Sequence, residues 1–457
     1  MTESLTARVA DFAIGTRYED MPPEALRLGK KALLDCLGLA LAGSRAEGAD
    51  VLRNHIAQLR CADTSATVFG AAMRAPARFA ALANATAMHA DDYDDTHNPS
   101  RIHPSSPVVA AVLAVAEAED RSGRDVLAAF NIGVEVSCKI SIATRGAHYG
   151  RGYHSTGSCG VFGATAALCN LKHMRREAAL AALGIAGSEA AGLRENFGTM
   201  TKPLHAGRAA ENAVGAADLA AAGFTAAPTV LEGPRGFFKA CVGDCDEEVL
   251  LNQLGNPWTI VSPGIAVKPF PSGRLTHPGM CKLEEIVTAH DIRADDVERI
   301  EVRTNQELPG NLTYHLPVTG LQGKFSMEFC LASILVLRRA GLSEFTDETV
   351  NRPDIQDAIR KIRYTCYDDR EAGANNYPLL ATFVDVVLKD GRTFAGRADV
   401  ARGSPPIAMT EDEVAAKFRD CAAFAGWPQH VADEIIAMTL ELDKLPRVTD
   451  LTKLLSR

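Results

Sequence analysis

The feature that most constrains this chain is a change of hydrophobic period near residue 260. Up to about Gly255, apolar residues recur at helical spacing, and alanine and glycine populate the faces that would pack. Ser4–Ile14 sets Leu5, Val9 and Phe12 on one face. Pro22 and Pro23 open a helix that runs to Gly43, and Asp125–Thr144, Arg175–Gly192 and Ala206–Gly223 repeat the pattern. From about Ser262 the period drops to two. Val297–Thr304 alternates, "IRYTCYDD" is a second strand, and "TFVDVVLKDGRTFAGR" reads as two strands meeting at Asp390-Gly391. Helices are expected at Pro278–His290 and Phe325–Ala340, and Thr410 with Glu413 forms a capping-box signal for a last helical stretch. The pattern predicts a mainly α fold with an α+β part. A large all-helical domain would span 1–262 and be completed by 400–457. A smaller α+β domain, 263–399, would be inserted before the C-terminal helices.

A length of 457 residues suits two such domains. The net charge of −9 leaves no broad basic surface for nucleic acid or an anionic membrane, so any anionic ligand must be held by a local cluster of cations. The start, "MTESLTARVADF", lacks the basic and apolar succession of a signal peptide. The most apolar stretches, such as Val108–Ala116, are interrupted well short of a membrane span. Eleven scattered cysteines without a CxxC read as reduced thiols of a cytoplasmic protein and argue against a cysteine-ligated iron–sulfur cluster.

Chemistry concentrates in "MHADDYDDTHNPSRIHPSSP", Met88 to Pro107, where four aspartates, three histidines and an arginine share twenty residues. Asp91, Asp92 and Asp95 fit DDxxD, a magnesium-diphosphate signature. That chemistry needs a second acidic cluster, and none follows, so no metal is expected. A solvated acidic turn is the bland alternative. Further along, "GYHSTGSCGVFGATAALCN" is neither GxGxxG nor GxSxG. It reads as a tight turn presenting His154 and Ser155 ahead of a helix. "NFGTMTKPLHAGRAA" places Lys202 and His205 between a Gly/Thr turn and a small-residue helix. "PGIAVKPFPSGRLTHP" carries Lys268, Ser272, Arg274 and His277 into the second domain. Each segment sets a cation or imidazole beside Gly, Ser or Thr at a helix entry. Together they could hold two or three carboxylates and bring histidine or aspartate to an acidic carbon–hydrogen bond.

In order and spacing, "HADDYDDTH…HPSSP", "GYHSTGSCGVFGATAA", "NFGTMTKPLHAGRAAENAV", "VKPFPSGRLTHP" and "GKFSMEFCLA" resemble the MmgE/PrpD family over nearly the whole chain. That family includes 2-methylcitrate dehydratase, cis-aconitate decarboxylase and iminodisuccinate epimerase. The resemblance implies a homodimer, a helical domain with an α+β lid, and catalysis without metal or organic cofactor. It carries the family's active-site aspartate and threonine onto Asp92 and Thr96. Its histidines fall on His103 and His154, and its two lysines on Lys202 and Lys268. Two positions depart from the pattern. Phe329 stands where the decarboxylases have tyrosine, and Gly273 where members often carry cysteine or histidine; both changes remove polar contacts expected near the substrate.

The expected activity is proton transfer at a carbon next to a carboxylate of a small di- or tricarboxylate. Lys202, Lys268 and Arg274 would hold carboxylates, with Ser155, His205, Ser272 and His277 lining the substrate. His103 and His154 would exchange protons, and Asp92 and Thr96 would orient a histidine or a substrate hydroxyl. A dehydratase heads the expectations, because elimination is the chemistry most associated with the family. Epimerase and decarboxylase stand as alternatives, "NFGTMTKPLHAG" being close to the epimerase branch. A silent carboxylate-binding protein is the alternative of another class.

Overall fold

Small residues let the helices of the first unit approach closely, as their spacing implies. The computed structural model describes residues 4–306, 310 and 312–457; the first three residues of the amino-terminal stretch lie outside the described residues. Two compact units divide the chain, Met1–Val267 with Thr410–Arg457, and Lys268–Met409.

The first unit is a helical bundle. Its helices include Leu5–Gly15, Pro23–Gly43, Ala77–Ala90, Ser105–Ala118, Gly123–Ala143, Gly160–Leu171, Arg176–Ser188 and Thr201–Ala221. Ala77–Ala90 packs along Thr201–Ala221. Gly207 makes that approach possible, since a Cβ there would lie 2.1 Å from Thr86 Oγ1 and 2.6 Å from the Leu82 carbonyl. This contact sets two stretches of the chemical segments side by side. The returning helix Glu411–Phe424 is capped by Thr410 and Glu413 as the sequence predicts. It packs on Pro23–Gly43, and Lys417 forms a buried ion pair with Asp35 at 2.7 Å. Lys417 also donates to the Tyr93 carbonyl at 2.9 Å, which ties this helix to the acidic loop.

Two sequence expectations need correction here. The helical reading up to Gly255 is interrupted by an antiparallel hairpin, Ala66–Val68 with Met73–Ala75, whose strands are too short to show a period of two. Gly123–Ala143, with 21 residues, is long and apolar enough to cross a membrane, contrary to the expectation that every apolar stretch falls short. Its most apolar window is 94% buried inside the protein, so it is a core helix of the bundle.

The second unit carries a four-stranded sheet. Its spatial order is Ile362–Tyr367, Val297–Asn305, Thr382–Leu388, Thr393–Ala398, with the first pair parallel and the others antiparallel. Helices His277–Ala289, Met327–Leu337 and Pro353–Lys361 accompany it, and an apolar core including Leu283, Val302, Leu331, Ile359 and Val384 holds sheet and helices together. The molecule is thus mainly α with an α+β part. Its eleven cysteines are all unpaired.

Candidate functional site

The loop after Ala77–Ala90 separates its carboxylates among different partners. Asp92 takes up a left-handed conformation, φ +50°, and its buried carboxylate accepts from the Lys202 ammonium at 2.5 Å. Asp95 turns toward the start of Ser105–Ala118, where Ser105 Oγ donates to it at 2.5 Å. Burial and the neighbouring Asp94 and Asp35 push its carboxyl up to about 8, against the opposing hydrogen bond from Ser105. Asp94 faces a third way, into a cluster of imidazoles. The DDxxD residues Asp92 and Asp95 therefore do not converge on one site.

Asp94 is fully buried, takes hydrogen bonds from two groups and lies against a third, His103 Nδ1, which makes no hydrogen bond among the described residues. His89 Nδ1 lies 2.9 Å from its carboxylate, His103 Nδ1 lies 3.1 Å from Oδ1, and Ser106 Oγ donates at 2.5 Å. Burial alone would raise its pKa, but His103 and His89 outweigh that and hold it well below the usual carboxylate range. His103 Nε2 points the other way and stands 3.8 Å from Asp92 Oδ1. His103 is thus suspended between two carboxylates, its side chain 14% exposed. Its backbone N–H donates to Thr156 Oγ1, which fastens the loop to the turn carrying His154.

His154 caps the short helix Ser155–Ser158 and is buried, as is Ser155. Its ring lies 5.6 Å from that of His89 and 6.5 Å from that of His103, and edge-on to Phe197 at 5.0 Å. Its Nδ1 faces the His205 Nδ1 at 3.0 Å, a spacing that requires one proton shared between two neutral rings. Burial, followed by the nearby His89 and Lys202, keeps His154 well below the normal imidazole range. Burial likewise lowers His89 and His205 to about 4. Lys202 lies in the first turn of Thr201–Ala221 and His205 at the start of the second, not ahead of the helix as the sequence suggested, because Pro203 is tolerated in a first turn. Lys202 Nζ also sits 5.2 Å above the Phe197 ring.

The hydroxyl of Thr96 is buried and bonded to nothing among the described residues, while its backbone pairs with Ala266 in both directions. His97 is taken up by Ser100 Oγ at 2.6 Å, as a turn-forming contact. The structure thus brings Asp92, His103, His154, Lys202 and His205 into one neighbourhood. Sequence reasoning missed its centre, His89 and Asp94. Both stand in the quoted segment, but their pairing crosses a helix end and a loop, where no periodicity signals a contact.

In the second unit, Lys268, Ser272 and His277 form their own cluster. Lys268 Nζ donates to the Ser272 carbonyl at 3.2 Å, His277 Nε2 lies 3.2 Å from the same oxygen, and Ser272 Oγ meets Thr276 Oγ1 at 3.0 Å. Arg274 is lowered to about 10 by burial, and its Nη1 has no hydrogen-bond partner among the described residues. A Cβ on Gly273 would meet only ordinary contacts, at 3.4 Å or more, so the backbone leaves room there for a side chain. Phe329 lies in the apolar core, its ring edge-on to Phe345 at 5.3 Å. It is a packing residue here rather than a vacated polar contact.

Among the described residues, His89, Asp94 and His103 are the group whose donor atoms, all within 4.8 Å of one another, could surround a metal ion. The hydrogen bonds that His89 and Ser106 already make to Asp94, with His103 Nδ1 close beside them, fit a His–Asp–His arrangement equally well, and Ser106 favours it because a hydroxyl in that place supplies a proton.

The MmgE/PrpD N-terminal domain matches residues 7–249 and the MmgE/PrpD C-terminal domain residues 270–443. The chain is similar along its whole length to cis-aconitate decarboxylase of Homo sapiens, 27% identical over 100% of this chain and 95% of that protein. It is also 25% identical to the cis-aconitate decarboxylase of Aspergillus terreus over 99% of this chain and 96% of the relative. With both domains matched in order and the chain spanned almost end to end, the protein belongs to the MmgE/PrpD family.

Proposed function

We propose that this protein is a lyase acting on a small di- or tricarboxylate, and that it abstracts a proton beside a carboxylate and eliminates water. The observation that carries the reading is His103 held between Asp94 and Asp92, with the buried Lys202 ammonium alongside. With the ring proton on Nδ1, 3.1 Å from the Asp94 carboxylate, the Nε2 lone pair of His103 is free to take a proton from carbon. Asp92 stands on the same side to stabilise the imidazolium that results. Lys202 offers charge to the carboxylate that becomes electron-rich as the C–H bond breaks. The electron pair of that bond forms the new double bond and expels hydroxide. His154, kept neutral by burial, would donate a hydrogen bond to the departing oxygen rather than act as a strong acid.

Decarboxylation is the second reading, favoured by the full-length similarity to cis-aconitate decarboxylases. The same cation and imidazoles would then serve loss of carbon dioxide, with an imidazolium delivering a proton to carbon. The core position of Phe329 removes one reason to set that reading aside. Incubation with citrate, 2-methylcitrate and cis-aconitate in deuterium oxide separates the two. Ultraviolet absorbance of an unsaturated acid marks elimination, released carbon dioxide marks decarboxylation, and deuterium uptake without either marks an epimerase. Binding with none of these signals would sink the enzymatic reading.

A further inference from the structure

We infer that Asp94 is a positioning residue that fixes the proton of His103 on Nδ1 and so presents Nε2 as the proton-accepting atom. This deepens the lyase reading and rests on it for its kinetic consequence, though not for its structural one.

A carboxylate oxygen presents only lone pairs, so an imidazole nitrogen lying against it is favoured as N–H over a second, repelling lone pair, even where the N–H is not aligned for a hydrogen bond, as at His103 Nδ1. Asp94 has two such nitrogens within 3.1 Å, His89 Nδ1 and His103 Nδ1, together with the Ser106 hydroxyl. The carboxylate is fully buried, and the hydrogen bonds from His89 and Ser106 compensate its loss of water. The proton position on His103 therefore follows from a neighbour two residues beyond Asp92, the aspartate singled out by sequence. His89 has a matching duty. It is buried and neutral, its ring centroid lies 4.6 Å from that of His103 and inclined to it, and it holds the far side of the Asp94 carboxylate in place. The chain thus devotes one aspartate to each nitrogen of His103, Asp94 at Nδ1 and Asp92 near Nε2.

Asp94→Asn is the direct test, because the shape is kept while one acceptor becomes an NH₂ donor. Where that amide takes the place of Oδ1 it faces His103 Nδ1 and forces it to become an acceptor, which moves the ring proton to Nε2; the Ser106 hydroxyl can still donate to the oxygen left at Oδ2. We expect kcat to fall roughly a hundredfold or more, the direction known for a wrong-tautomer histidine, with KM within about threefold. Nitrogen NMR of protein labelled with ¹⁵N-histidine, assigned with His103→Gln and His89→Gln, should show both rings as Nδ1–H tautomers in the native protein. At least one should convert in Asp94→Asn. Should Asp94→Asn fail to fold, the native spectrum still decides, and an Nε2–H tautomer at His103 overturns the inference. Undiminished kcat in a folded Asp94→Asn, beside a crippled His103→Ala, overturns it too while leaving the lyase reading intact. If the native protein turns over none of the acids, the lyase reading falls, and the native tautomers alone then judge Asp94.

Discussion

The Lys202 ammonium and the Asp92 carboxylate meet at 2.5 Å with both side chains buried, one from the first turn of a helix and the other from a left-handed loop residue. A buried pair of this kind is costly to break from one side, because the survivor keeps its charge without its partner. Lys202→Met should therefore destabilise the protein by about 3–5 kcal/mol. It should also raise KM roughly ten- to a hundredfold if the ammonium holds a substrate carboxylate. Adding Asp92→Asn should restore much of the stability and none of the affinity. Equal stability of the single and double variants in urea unfolding would mean that the pair is not a coupled one.

His103→Ala and His154→Ala should each lower turnover by roughly a hundredfold or more without unfolding the protein. The two should differ in kind. Loss of His103 removes the proton acceptor, so deuterium exchange at the substrate carbon should vanish with turnover. Loss of His154 leaves that acceptor in place, so exchange should persist while product formation slows. Equal loss of exchange in both variants would return the two histidines to interchangeable roles.

The contrast between these residues and their setting shows what the sequence makes legible. The helical first unit and the strand-rich second one follow from periodicity, and so does the capping box at Thr410 and Glu413. The charged segment between Met88 and Pro107 declares itself by composition. Its internal wiring does not, because hydrogen bonds across a loop leave no periodic trace. Asp92 and Asp94 differ by two positions yet face Lys202 and the histidines respectively, a division made by the left-handed turn at Asp92. The hairpin at Ala66–Ala75 and the early start of Thr201–Ala221 escaped for simpler reasons, short strands in one case and a first-turn proline in the other.

Activity should survive EDTA and should not rise with added magnesium or iron. Asp92 and Asp95 are engaged by Lys202 and Ser105, and Asp94 is already held by His89 and Ser106. Turnover lost to the chelator and restored by one metal would instead assign His89, Asp94 and His103 to that ion.

Arg274 carries a different signature. A buried guanidinium nitrogen without a hydrogen bond among the described residues destabilises the unliganded protein, and its lowered affinity for its proton reflects the same burial. Arg274→Met should raise the melting temperature without ligand and raise KM about tenfold or more if this group receives a carboxylate. A lowered melting temperature with unchanged KM would make Arg274 a structural residue.

Asp95 should make stability depend on pH in a direction opposite to the usual carboxylate. Its folded pKa is raised to about 8, whereas the unfolded chain would titrate near 3.9, so between these values the folded state holds a proton that the unfolded state has lost. Stability from this group is present below about pH 4 and is lost as pH rises toward 8. The buried histidines, lowered to about 4, slope the other way between pH 4 and 6.5, because there the unfolded state binds the extra protons. Asp95→Asn isolates the first effect, since the histidines are common to both proteins and cancel in the difference. An asparagine can still accept from Ser105 and has no proton to lose. The stability of Asp95→Asn relative to the native protein should therefore climb from pH 4 to pH 8 and level off above it, as read by urea unfolding at pH 5, 7 and 8.5. A difference that stays constant across that range would mean that Asp95 is ionised at neutral pH and that Ser105 meets a charged carboxylate.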